Sequence, residues 1–260
     1  MKEKSAAVVA TGWLGDTIAC TAAATSLSEM GYAVTFFTRW PQLVDILRND
    51  GRFKVVLYRY LRLKPLLKLI LPFFYEKVVW EPDRWNYQEP FTSEIRRIAG
   101  CEPKPGYQLF LNQNVVSDEP HFPSIAVSRD LYKRAYGRNV DDFIKQLEGI
   151  TKICWVGLPA KKNSKHGKNH DLLEDARIIA KSDIFVGPEG GLLWLAAGIG
   201  KPCIYFTENI AEVARQNGFT NLDHVLGSKN YFSNQSLHIS LAPYCSNFDA
   251  ISFIKDALGV

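Results

Sequence analysis

The chain has 260 residues, 47% of them hydrophobic and 22% charged. That is enough for one large α/β domain or two small ones, and too apolar for disorder over most of its length. A formal net charge of +4 is too small to argue for nucleic acid by itself.

Residues 6–10 form a short apolar, β-branched run that reads as a strand. The apolar run before Gly12 is too short for the core of a secretory leader. No window reaches the roughly 20 apolar residues of a membrane span, so the expectation is a soluble, cytoplasmic protein. Residues 16–30 have helical spacing with Gly31 as a stop, and 33–38 read as a strand. Pro41 suits the first turn of the next helix, and 55–58 read as a third strand. From Arg59 to Lys77, Arg62, Lys64 and Lys68 interleave with large apolar residues. Such a stretch fits peripheral contact with the inner membrane through an interfacial helix; it also fits an ordinary buried helix with snorkelling lysines. A strand at 78–80, an irregular stretch with Pro82 and Pro90, a helix at 92–99 ended by Gly100 and a strand at 107–111 follow. Between Asn112 and Pro123 the pattern lapses, which places a domain boundary near residue 120.

The second half repeats the alternation. Strands are expected at 124–127, 152–156, 183–186 and 202–206, and helices at 140–147, 172–181, 192–199 and 249–258. Alternating strands and helices imply an α/β fold with parallel sheets flanked by helices. In such sheets ligands bind beyond the carboxyl ends of the strands. The five cysteines, Cys20, Cys101, Cys154, Cys203 and Cys245, are scattered without a C-x-x-C pair, which fits reduced thiols rather than a metal site or disulfide framework.

Two strand-to-helix loops carry the glycines a ligand loop needs. Gly12-Trp13-Leu14-Gly15-Asp16-Thr17 is neither a dinucleotide fingerprint nor a P-loop. Its glycines let backbone approach a ligand, and a helix start follows. Asp16 reads there as a helix cap or as a catalytic carboxylate. Gly187-Pro188-Glu189-Gly190-Gly191 follows an apolar strand and reads as a tight turn or as an anion cradle. Glu189 is suited to accepting hydrogen bonds from sugar or ribose hydroxyls. Near them, Arg129, Lys133 and Arg134 could neutralise a diphosphate or form a solvated basic loop. A second basic loop runs from Lys161 to Lys168. Glu81 and Asp83, which follow the strand at 78–80, could hold a metal, or with Pro82 between them form a plain loop.

At these loops the chain resembles the heptosyltransferases, the lipopolysaccharide glycosyltransferases of family 9 with the GT-B fold. Gly15-Asp16 and Thr21 resemble the family's Gly-Asp-x-x-x-x-Thr opening; Lys133-Arg134 matches a basic pair at the start of its second domain. Residues 183–202 resemble its strand, Gly-(Asn)-Asp-(Ser/Thr)-Gly loop, small-residue helix and Gly-x-Pro, here Gly200-Lys201-Pro202. Glu189 stands where the family has Asp and Trp194 where it has His, so that a donor contact there is lost or replaced by stacking.

The resemblance implies two Rossmann-like domains with an interdomain cleft: 1–120 binding the acceptor and 121–260 binding the nucleotide sugar. It implies an inverting, metal-independent transfer, without a cofactor, from a nucleotide-sugar donor to a glycan or lipid-linked acceptor in bacterial surface polysaccharide synthesis. Asp16 would be the base; Gly187, Glu189, Gly190, Gly191, Arg129, Lys133 and Arg134 would bind the donor; Gly12, Gly15 and Thr17 would form the acceptor or phosphate loop. A helix N-terminus would hold the Asp16 carboxyl low and weaken it as a base. The open alternatives are a sugar-nucleotide-binding scaffold without activity, a metal-dependent GT-A transferase and a sugar-nucleotide epimerase.

Overall fold

The computed structural model describes residues 4–58, 64–83, 91–104, 107–109, 111, 124–134, 139–157, 171–206, 238–241 and 246–260. The expected domain boundary and the basic loop from Lys161 to Lys168 lie outside them, as do residues 59–63 and Cys245.

The first half holds strands β1 (Ser5–Ala10), β2 (Ala33–Thr38), β3 (Lys54–Leu57) and β4 (Lys77–Trp80) and helices α1 (Leu14–Ala19), α2 (Thr21–Glu29), α3 (Pro41–Asp50), α4 (Lys64–Phe74) and α5 (Phe91–Ile98). Its strands form one parallel sheet in the order β3-β2-β1-β4. The second half holds β5 (Ser124–Ser128), β6 (Lys152–Val156), β7 (Ile184–Pro188), β8 (Cys203–Phe206) and β9 (His238–Leu241). Its helices are α6 (Val140–Glu148), α7 (Leu172–Lys181), α8 (Gly191–Ile199) and α9 (Asn247–Leu258). This sheet is also parallel, in the order β6-β5-β7-β8-β9.

The local chemistry accounts for these boundaries. β1 and β5 are covered on both faces, as parallel strands require, and their apolar residues are buried. Pro41 opens α3 and Gly51, at φ 73°, closes it. The Asp171 carboxylate accepts from the Leu173 and Glu174 amides (2.9 and 3.2 Å) at the start of α7. Ser246 and Asp249 close a capping box on α9.

Three expectations change. The helix expected at 16–30 is two helices meeting at Cys20, the first beginning at Leu14 inside the presumed loop. The described residues of 107–111 form no strand: Leu109 N–H donates instead to the Gly198 carbonyl at 2.7 Å, which lays this segment on α8. The stretch through Lys64 and Lys68 is not an ordinary buried helix. Leu71 alone is buried in α4, while Leu66, Leu69, Ile70, Phe73 and Phe74 are exposed.

A single apolar core runs from β1, α2 and α3 through Tyr107 and Leu109 into α7 and α8. Each large side chain fully buried in it, Phe36 and Phe185 among them, contributes about 1.5–3 kcal/mol. The tightest passage between the halves is α1 against α8. A side-chain carbon on Gly15 would run into the Trp194 indole, and one on Gly191 into Leu14. The bare backbone at these two positions lets the helices meet.

Candidate functional site

Both sheets have a point where strand order reverses, β1/β4 in the first and β5/β7 in the second. Crevices open at such switch points beyond the strands' carboxyl ends. In this molecule the segments leaving β1 and β7 face one another across a cavity of about 460 Å³, within the range of small-molecule sites. Its walls are Trp13, Leu14, Gly15, Asp16 and Trp40 from the first half and Arg134, Glu189, Gly190, Gly191 and Trp194 from the second.

Asp16 sits in the first turn of α1, half-buried, and accepts from the Trp13 amide at 3.2 Å. It is therefore a cap and a cavity-lining carboxylate at once. Burial raises its pKa, outweighing the Trp13 hydrogen bond and the Arg39 guanidinium, which lower it. Desolvation of the carboxylate exceeds the amide's pull, so the pKa moves up where the helix end alone would move it down. Arg39 lies over the rings of both Trp13 and Trp40, at 5.9 and 5.2 Å from their centroids. Trp13 is 75% exposed and offers its face to the cleft.

On the opposite wall, Arg134 follows β5 and donates from Nη1 to the Glu189 carbonyl at 2.8 Å. The Glu189 amide in turn donates to the Phe206 carbonyl at 3.1 Å, so the loop is tied to β8. α8 begins here behind Gly190, which has no capping side chain. Its first amides lack intrahelical partners, the arrangement that favours anions at helix starts.

The structure thus brings Asp16, Gly15, Glu189, Gly190, Gly191 and Arg134 together, and sets five expected residues outside the cavity lining. Gly187 is buried within β7, opposite Tyr205. Arg129 donates to the Gly157 carbonyl at 3.0 Å and lies over Trp155. Lys133 pairs with Asp130 at 2.7 Å. Thr17 points into the core and is fully buried. Gly12 contributes its backbone to a bracing network behind the site rather than to the wall. Trp194 lines the cavity but is 8% exposed, and its ring packs on Tyr107 at 5.7 Å. Its main contacts are with the seam between the halves. The Tyr107 hydroxyl donates to the Trp194 carbonyl.

Sequence reasoning missed Trp13, Trp40 and Arg39, which carry no motif. Neither the metal nor the plain-loop reading fits Glu81. That side chain is buried and accepts from the Thr11 and Gly12 amides, while Asp83 is exposed and pairs with Lys64 at 2.6 Å. The two carboxylates therefore do not converge as the GT-A design would need. Among the described residues no group of three or more His, Cys, Asp or Glu side chains is placed to hold a metal.

By sequence, no protein-family model and no curated protein matches the chain. Solved structures do. Heptosyltransferase II of E. coli, an ADP-heptose lipopolysaccharide enzyme, superposes with a TM-score of 0.60 at 11% identity, over 98% of each chain. The fold is that of the GT-B heptosyltransferases. A family 9 glycosyl transferase of Veillonella parvula DSM 2008 gives 0.60 at 10% identity, over 99% of this chain and 98% of the other. The iron-containing dodecameric glycosyltransferase TibC of enterotoxigenic E. coli H10407 gives 0.56 at 14% identity, covering 79% of this chain. The match spans 59% of the length of TibC. The GT-B architecture of two parallel sheets facing a cleft replaces the single-domain GT-A alternative.

Proposed function

We propose that the chain is an inverting glycosyltransferase that moves a sugar from a nucleoside-diphosphate donor to a glycan or lipid-linked acceptor in bacterial surface polysaccharide synthesis. The observation that carries this reading is the single cavity that sets Asp16 of one sheet against Arg134 and the Glu189-Gly190-Gly191 loop of the other. Asp16, half-buried and raised in pKa, accepts the proton of the attacking hydroxyl. The acceptor oxygen bonds to the anomeric carbon as the bond from that carbon to the β-phosphate oxygen breaks. The departing diphosphate gathers negative charge, which Arg134 and the first amides of α8 offset, so the chemistry asks for no metal. Trp13 and Trp40 give sugar rings an aromatic face. ADP-heptose is bound by TibC, and ADP by the E. coli heptosyltransferase WaaC, which makes an ADP-sugar the first donor to try.

A thermal-shift panel of ADP-, UDP-, GDP- and CMP-sugars identifies the nucleotide and sugar together, because a ligand stabilises the state that binds it. With the donor found, Asp16→Asn is expected to lower turnover by about 10²–10⁴-fold and to leave donor affinity within about twofold. Retained turnover in that variant would sink the assignment. Donor binding by the wild type without transfer across an acceptor panel would favour a binding protein, and conversion of the donor without any acceptor an epimerase.

The exposed apolar side chains of α4 support a lipid-linked acceptor met at the cytoplasmic face of the inner membrane. The N-terminal end of this helix is tied by Lys64 to Asp83, just beyond the carboxyl end of β4, on the same edge of the sheet as Asp16.

A further inference from the structure

One ionisable side chain lies behind the cavity and holds its most important wall. Glu81 follows β4, and its amide donates to the Val9 carbonyl at 3.0 Å, so the chain stays beside β1 beyond the strand end. The side chain is 6% exposed and turns across the end of β1. There its Oε2 accepts from the Thr11 amide at 2.6 Å and the Gly12 amide at 2.8 Å. On the other side the Gly12 carbonyl accepts from Arg39 Nε at 3.0 Å and Trp40 Nε1 at 3.1 Å. Gly12 is therefore gripped from the ends of β4 and β2 together. A side-chain carbon at residue 12 would overlap the Glu81 carboxylate, so the glycine and the glutamate are fitted to one another. The next residue, Trp13, donates its amide to Asp16, which makes the base the next link of the same hydrogen-bonded turn.

We infer that Glu81 is a positioning residue: its carboxylate pins the Thr11-Gly12 turn and thereby sets Asp16 against the cavity. This rests on Asp16 being the base. Glu81 and Asp16 are also coupled through charge. Each of the groups around it belongs to a different segment: Asp16 on α1, Cys20 between α1 and α2, Arg39 after β2 and Tyr58 after β3. Burial is the leading cause that pushes the Glu81 carboxyl up, to about 6; the Asp16 charge adds to it, and the two amides and Arg39 oppose it. Burial likewise pushes up the Tyr58 hydroxyl and the Cys20 thiol, and the Glu81 charge adds to both. The coupling is felt at Glu81: the Asp16 carboxylate, ionised first, helps to hold the proton on Glu81.

The test needs no substrate. In the full-length, isotope-labelled protein, the carboxyl carbon of Asp16 is followed by NMR from pH 4 to 8 in wild type, Glu81→Gln and Glu81→Ala. Glutamine presents a carbonyl oxygen to the same two amides without the charge. In Glu81→Gln the Thr11 and Gly12 amides are expected to stay protected from exchange and the Asp16 midpoint to stay at its wild-type pH, because the amide oxygen keeps the turn in place. In Glu81→Ala those two amides are expected to exchange about 5–150-fold faster, as loss of a buried acceptor implies. Exchange in Glu81→Gln as fast as in Glu81→Ala, or unchanged exchange in Glu81→Ala, overturns the inference. In the turnover assay, Glu81→Ala should lower kcat with donor KM unchanged, and Glu81→Gln should recover most of it at pH 8. Equal kcat in wild type and Glu81→Ala would overturn the positioning role even where Asp16→Asn proves Asp16 to be the base. Should Glu81→Ala fail to fold, the same two amides are followed in Glu81→Met, which fills the space without an acceptor, and exchange no faster than in wild type overturns the inference.

Discussion

Replacing Glu81 with glutamine should change how stability depends on pH, and by a calculable amount. The Glu81 carboxyl is pushed up to about 6 from 4.5, mainly by burial. A carboxyl whose pKa is higher folded than unfolded binds its proton more tightly in the native state. Stability is then greatest below the unfolded value, falls as pH rises from about 4.5 to about 6, and stays lower above that range. A displacement of this size corresponds to roughly 2 kcal/mol at neutral pH. Glutamine keeps an acceptor for the Thr11 and Gly12 amides and has nothing to ionise. The stability of Glu81→Gln relative to wild type should therefore rise by about 2 kcal/mol between pH 4.5 and 7.5, on top of whatever constant offset the new side chain brings. Urea denaturation at half-unit steps across that range measures the difference, with the slope m checked for constancy. Parallel stability curves for the two proteins would show that Glu81 titrates alike in the folded and unfolded chains, contrary to its buried setting.

Other perturbations separate the walls of the cavity. Arg134→Ala removes the cation facing the donor loop, and should weaken donor binding by about 1.5–3 kcal/mol, read as a rise in Kd by isothermal calorimetry; an unchanged Kd would remove Arg134 from the donor site. The acid limb of the kcat profile should lie at higher pH than an ordinary Asp side chain gives, since burial raises Asp16; a limb at or below that of an unperturbed Asp would contradict that environment. Trp194→Ala opens the seam against Gly15 and Tyr107, and should cost about 3–5 kcal/mol of stability, measured by denaturant titration; a cost under about 1 kcal/mol would show that the ring serves the ligand and not the core. The paired substitution Phe73→Glu and Phe74→Glu at exposed positions of α4 should abolish co-sedimentation with phosphatidylglycerol vesicles and leave the melting temperature within a few degrees. Wild-type protein that fails to sediment would remove the membrane contact altogether.

How much of this could be read from the sequence depended on whether the signal was local. β6 and α7 were expected with the ends they have, because apolar period and flanking punctuation set them locally. The loops at Asp16 and Glu189 were found because glycine beside a strand end is a local signal. What failed was non-local. Residues 107–111 have a strand's composition, yet their amide pairs with α8. Arg129 and Lys133 sit in the right stretch of sequence, but their partners, the Gly157 carbonyl and Asp130, draw them from the cavity. Trp194 looks like a ligand residue by its place in a motif, whereas Tyr107, far away in sequence, makes it a packing residue as well.

Asp16 shows why the chemistry of the site was harder to read than its position. From the sequence, a carboxylate at a helix start has one strong neighbour, the helix end, and that neighbour lowers its pKa. The fold adds what the sequence cannot place: the cover of the opposite domain, and a second carboxylate brought up by β4. Burial then outweighs the Trp13 amide, and Glu81, itself pushed up, lies close enough to interact with Asp16. A base needs a pKa near the pH at which it works. Here burial in the cleft raises Asp16 in that direction, which is the property the proposed transfer asks of it.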